Sequence, residues 1–434
     1  MSHHLPADHP QRFVLHNEAH ARPPEALLAP LRLSFLALLS DGAQREREIA
    51  LVRELAERHG RVPPAPDATH YSDDLGPFRI KWERHTEFTR YKFIVEGPFD
   101  DPFAQPAIRA VPGEWLDALP GQVITAAHLG LQEAEQGLQD PGDIASRFFG
   151  GNTLIGSGIA GGGGVALTDL RIHDDGFSRF MVYNRSMSRR QSGRMIQRLM
   201  EIETYRMLAL LSLPVARQLD PALADWEGQL VEITTAMAGA VEQDEPLLLD
   251  RLTRLSAAIE SSLSGTHYRF GAANAYHELV ERRILELREE RIQGLQTFEE
   301  FTERRLAPAM NTCRWIGARQ QSLSERVARA SQLLSTRVDI TREKQNHALL
   351  ESMNRRAKLQ LRLQETVEGL SVAAVTYYMV GLIGYAAKGL KAAGVALDPD
   401  IVMGLSIPLV ALATALGVRQ IRRMVTRERA PAGR

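Results

Sequence analysis

A chain of 434 residues that is 44% apolar and 24% charged is long enough to bury two or three cores, and its composition excludes a disordered or fibrous protein. With 52 basic and 53 acidic residues the formal net charge is -1, which excludes a global pull toward nucleic acid or anionic lipid. Cys313 is the single cysteine, so an internal disulfide and a multi-cysteine zinc site are excluded and a reducing compartment fits.

The opening "MSHHLPADHPQRF" lacks the basic-then-apolar pattern of a secretory signal, so the chain is expected to begin in the cytoplasm. Leu31 to Leu39 is a strand candidate, and Arg45 to His59 reads as a short amphipathic helix. "PFRIKWERHTEFTRYKFIVEG" is rich in β-branched and aromatic residues and predicts one or two strands. In "VALTDLRIHDDGFSRFMVYN" the Asp174-Asp175-Gly176 step separates two β-prone runs, which predicts a hairpin. From Ser188 the pattern turns helical: a segment stopping at Pro214, others at about 218–240, 245–263 and 268–306, then a long one without Gly or Pro between Gly317 and Gly369. In that last segment Val327, Leu334, Val338 and Leu349 are spaced like a coiled-coil seam, which Thr341, Gln345 and Ser352 interrupt.

The end of the chain raises the membrane question. Gly369 to Ala387 is uncharged over 19 residues, enough as a helix to cross roughly 30 Å of hydrocarbon. A single such run could be a buried core helix; a second, Ile401 to Val418, favours a transmembrane hairpin. Pro399 is placed to open the second helix, and Pro408 in its middle is better tolerated in a membrane than in water. Arg355, Arg356, Lys358 and Arg362 precede the first run, and Arg419, Arg422, Arg423, Arg427 and Arg429 follow the second. The connection has only Lys388 and Lys391, offset by Asp398 and Asp400, so both termini are expected on the cytoplasmic side of a bacterial inner membrane. Gly381 and Gly384 lie near one helical face and would let the spans pack closely.

Motifs of known chemistry are few. The glycine-rich stretch Gly150 to Leu167 has no lysine and reads as a connection between strands rather than a phosphate loop. No G-x-S-x-G, H-E-x-x-H or dinucleotide fingerprint is present, and Cys313 beside Arg314 reads as a buried structural cysteine. On strands, residues two apart share a face, which groups His16, Glu18 and His20; Glu83, His85 and Glu87; and Asp169, Arg171 and His173. Imidazole with carboxylate suits zinc or another first-row metal, or a ligand pocket if these strands are neighbours; the alternative is a polar sheet face with internal ion pairs. No cofactor is indicated by these residues.

"NEAHARPP", "WERHTEF", "TDLRIHDDGFSRF", "GRMIQRLMEIETYRMLAL" and "TYYMVGLIGYAAKGL" together resemble a bacterial family of uncharacterised membrane-anchored proteins, a domain of unknown function. That resemblance covers nearly the whole chain and implies a membrane anchor without an established activity. The layout of long helix, short loop and second span is also similar to CorA-type divalent-cation transporters, although "GYAAKGL" stands where their Gly-Met-Asn signature belongs. The expected architecture is an α+β cytoplasmic domain over 1–187, a helical domain over 188–317 and a stalk helix over 318–368. Spans at 369–387 and 401–418 and a basic tail over 419–434 complete it. The expected role is a non-enzymatic binding or scaffold module with the lipid bilayer as partner, an unidentified cytoplasmic partner or ligand, and homo-oligomers formed through stalk and spans. An ion transporter and a metal-dependent enzyme are the alternatives.

Overall fold

The computed structural model describes residues 7–13, 15–16, 23–134, 140–394 and 396–428. Contacts divide the chain into a first unit of Met1–Gly239 with Leu247–Ser331, and a second of Ala240–Pro246 with Gln332–Arg434.

The first unit is built on nine strands: β1 Leu31–Leu39, β2 His70–Asp74, β3 Arg79–Arg84, β4 Phe88–Glu96, β5 Gln122–Glu133, β6 Ile155–Ile159, β7 Gly164–Thr168, β8 Ser178–Asn184 and β9 Glu290–Arg291. They form one sheet in the order β2-β3-β4-β1-β5-β8-β7-β6-β9, antiparallel throughout except for the β5–β8 pair. A sheet covered on both faces needs strands that are largely apolar on both sides, and β1, "LRLSFLALL", lies inside it between β4 and β5. Leu36 and Leu38 of β1 pack with Ile80, Trp82, Tyr91 and Phe93 under helix α1, Arg45–Arg58. Trp115 of the short α2, Gly113–Asp117, joins that core, while α3, Pro141–Phe148, packs Ile144 and Phe148 with Val165, Leu167 and Met181.

On the opposite face Leu31, Leu33, Phe35 and Ala37 meet Met195, Ile196, Leu199 and Met200 of α4, Arg189–Leu210. Ser188 caps α4 reciprocally with Gln191, so the helix opens at Arg189. α5 spans Ser212–Gly239 and α6 spans Glu245–Leu287, with Val280, Ile284 and Leu287 of α6 in the same core. β9 follows α6 and completes the sheet, and the strands and these helices share one hydrophobic core. After α7, Phe298–Arg305, a single helix α8 runs over Ala307–Ala392. It starts before the expected 318 because Pro308 falls in its first turn, where a missing N–H is harmless. Val327, Leu334 and Val338 are buried, whereas Leu349 is 61% exposed.

In the second unit α8 ends at Ala392 and α9 spans Pro399–Glu428, so both helices reach into the connection from Lys388 to Asp400. Both helices contain a window long and apolar enough to cross a membrane; 17% of the first and none of the second is buried within the chain. The two meet where a Cβ on Gly384 would come within 2.7 Å of Met403 Sδ, while a Cβ on Gly381 would have nothing within 4 Å. Gly381 instead borders a cavity of about 800 Å³ with Thr376, Tyr377, Tyr385, Met403 and Ile407.

The segment at residues 23–30 crosses α4 closely. Leu27 N donates to Arg189 O at 3.0 Å, and a Cβ on Gly193 would lie 1.7 Å from Glu25 O. Alanine is the better helix former by about 1 kcal/mol, but forcing a methyl against backbone costs about 1–3 kcal/mol. Gly193→Ala is therefore expected to lower stability by up to about 2 kcal/mol in denaturant unfolding. A stabilised variant would show that the crossing is looser than the structure has it.

Candidate functional site

Strand alternation sends Lys81 and Glu83 of β3 and Arg90 and Lys92 of β4 to one face, where the register pairs Lys81 with Lys92 and Glu83 with Arg90. All four are at most 5% exposed. Arg90 Nε donates to Glu83 Oε2 at 2.5 Å and its Nη1 to Glu201 Oε1 of α4 at 3.2 Å. Lys81 Nζ lies 3.3 Å from Glu83 Oε1 and donates to Pro23 O at 2.6 Å. Glu201 also accepts from Gln197 at 2.8 Å and from Arg283 of α6, which pairs in turn with Glu286 at 3.0 Å.

Burial by itself would raise the Glu83 pKa, but the neighbouring Arg90, Lys92 and Lys81 outweigh it and hold the carboxyl at about 2. Glu201 is held low in the same way, burial being overcome by Arg90 and Arg283. Lys92 goes the other way: burial, and then the Arg90 charge, press its ammonium down to about 8 against the pull of Glu83. This layer is an interior ion network with three cations of the sheet gathered around one carboxylate.

Next to it the chain turns. β3 ends at Arg84, so His85, Thr86 and Glu87 form the β3–β4 turn and do not continue the strand face of Glu83. The His85 ring stacks on Phe88 with centroids 4.5 Å apart and planes 14° apart. Glu87 accepts from Arg269 Nη1 and Nη2 at 3.2 and 3.3 Å and from the Tyr276 hydroxyl at 2.7 Å. Tyr276 stacks on Tyr205 at 5.7 Å; burial, reinforced at Tyr276 by Glu87 and at Tyr205 by Glu201, raises both phenol pKa values and keeps the hydroxyls protonated. Between this aromatic wall and the start of α1 lies a cleft of about 470 Å³, bordered by Arg45, Thr69, Arg84 and Thr86 on its polar side.

The other candidates lie elsewhere. Five inter-strand steps separate β3 from β7, about 24 Å at the usual spacing, so the Glu83 and Asp169 groups do not converge. Asp169, Arg171 and His173 follow β7 in the connection to β8: Asp169 accepts from Asn152 at 2.9 Å and lies 2.9 Å from His173 Nε2, while Arg171 points to solvent. The β7–β8 hairpin itself forms, with Thr168 opposite Phe180. His16 is exposed near the N-terminus, and Glu18 and His20 lie outside the described residues. Among the described residues no group of three or more His, Cys, Asp or Glu is placed to hold a metal ion. Gly150 to Leu167 contains the β6–β7 hairpin, whose turn has Gly161 and Gly162 at φ 63° and 77°, in the left-handed region glycine favours.

Lys81, Arg90 and Lys92 were not anticipated as a group, although charges two apart inside otherwise apolar β-prone runs are a signal that could have found them. Arg45, Tyr205 and Tyr276 come from three separate helices, and nothing local in sequence joins them. No curated protein and no solved structure matches the chain. The family model described as a protein of unknown function (DUF3422) matches residues 7–425, nearly the whole length, and the chain belongs to this family.

Proposed function

We propose that the protein is a membrane-anchored binding module: the two apolar helices cross the bacterial inner membrane with both termini cytoplasmic, and the α+β unit offers the cleft beside His85 to a ligand. The observation that carries the reading is the exposure of the apolar windows, 17% and 0% buried, on helices of spanning length. Surface of that size and composition is left uncovered in water only at a large hydrophobic cost, and lipid removes that cost. The basic flanks, Arg355 to Arg362 on one side and Arg419 to Arg423 on the other, favour the cytoplasmic orientation. Close approach of the helices at Gly384, and exposed Leu349, Met353, Leu359 and Leu363 along α8, support self-association through stalk and spans.

Expression of the full chain followed by carbonate extraction tests the anchor. The protein is expected in the membrane pellet, released only by detergent, and Leu412→Arg in the middle of α9 should penalise insertion by about 3 kcal/mol and shift protein to the soluble or degraded pool. A full-length protein that stays monomeric in detergent-free buffer would remove the anchor, and oligomerisation by the spans with it.

A further inference from the structure

We propose that the cleft beside His85 receives a small organic anion, a planar ring bearing a carboxylate or phosphate group. The proposal rests on the reading of the α+β unit as a ligand-binding module and assigns the chemistry of what it binds. The first ground is charge. Both carboxylates next to the cleft are already satisfied: Glu48 accepts from Thr89 Oγ1 at 2.9 Å and Arg84 Nε at 3.2 Å, and Glu87 is held by Arg269 and Tyr276. Arg84 is fixed in place by a second bond, Nη2 to Arg45 O at 2.7 Å. Among the described residues the Arg45 guanidinium itself has no ion-pair partner, so one positive charge at the cleft is left for an incoming anion. A guanidinium presents a planar fork that matches carboxylate and phosphate oxygens.

The second ground is shape. A volume of about 470 Å³ falls within the range of small-molecule sites, and its wall carries the Tyr205–Tyr276 stack and the His85–Phe88 stack. The ring area open to a ligand is that of the half-buried His85 and Tyr276, which Phe88 and Tyr205 back from the core, while Thr69 and Thr86 border the polar side. Charge at one end and aromatic surface along the other are the two halves of an aromatic acid or a ring phosphate. The fixed Arg84 and the neutralised acids mean that binding would require little rearrangement of the wall.

The test uses the full-length protein in a nonionic detergent, titrated calorimetrically with inorganic phosphate, benzoate and adenosine monophosphate. At least one ring-bearing probe is expected to bind more tightly than about 1 mM and than inorganic phosphate. Arg45→Gln should weaken it at least about tenfold and Arg45→Lys should restore part of the loss. Tyr205→Leu should weaken the ring-bearing probe and leave phosphate unchanged, with circular dichroism confirming that each variant is folded. No saturable binding of any probe, or binding indifferent to Arg45 and Tyr205, overturns the proposal. Membrane association is scored on the same preparation: a membrane-bound protein that binds none of the three refutes the ligand class alone, and a soluble one that binds refutes the anchor alone.

Discussion

Glu83→Gln is expected to destabilise the protein by about 3–5 kcal/mol, the usual penalty for stranding a buried cation without its counter-ion. The glutamine fills nearly the same volume, so packing is not what is lost. Arg90 keeps Glu201 at 3.2 Å but loses its 2.5 Å partner, and Lys81 loses the carboxylate 3.3 Å away. Unfolding of the full chain by denaturant in detergent, followed by fluorescence from the neighbouring Trp82, would give the difference. The effect also has a pH signature. The folded carboxyl titrates at about 2 against 4.5 for the unfolded chain, so its stabilisation is complete above about pH 4.5 and disappears as the pH falls through 2. The gap between wild type and variant should close over that window, and a gap below about 1 kcal/mol at pH 7 would mean that the network is open to water.

Lys92→Met has the opposite sign: at pH 7 the variant should be more stable than the wild type, by on the order of 3 kcal/mol. Folding moves the Lys92 pKa from 10.5 down to about 8, so below pH 8 the folded state keeps a buried ammonium that the unfolded chain hydrates freely. Between 8 and 10.5 the unfolded state binds the extra proton, and wild-type stability gains about 1.4 kcal/mol per pH unit relative to the variant. The advantage of Met should therefore vanish near pH 10.5. Methionine retains the unbranched stem and adds no polar atom, which keeps the packing change small. A variant that is less stable than wild type at pH 7 would show that the Lys92 charge is needed to balance Glu83, and that its burial is the lesser effect.

Much of the sheet was legible because its signals are local. Leu31 to Leu39 is apolar on both faces except at Arg32 and Ser34, as a strand inside a covered sheet should be, and Asp174-Asp175-Gly176 marks the β7–β8 connection. β9 was not legible: two residues, Glu290 and Arg291, are a strand only because β6 lies beside them. The split of 268–306 also depended on tertiary context, since α6 runs unbroken to Leu287 and the chain then detours through β9 before α7. At the site, the two-residue period groups Glu83 with His85 and Glu87, but the strand ends at Arg84, and the charges that share the face of Glu83 are Lys81 on its own strand and Arg90 and Lys92 on β4. Period alone carries no information about where a ladder stops, and none about which helices lean over a turn.

The sheet has two ends, and both are closed to a newcomer. β2 is five residues long and puts Asp73 and Asp74 on the rim, where a flat apolar edge would invite another strand; at the far end β9 pairs with Ser157 and Gly158 of β6, and the amides of Gly156 and Ala160 donate to Gln296 O and Leu287 O. Strand-by-strand growth into fibrils or swapped sheets is thereby disfavoured. Self-association through the exposed apolar face of α8, as proposed above, needs no strand pairing.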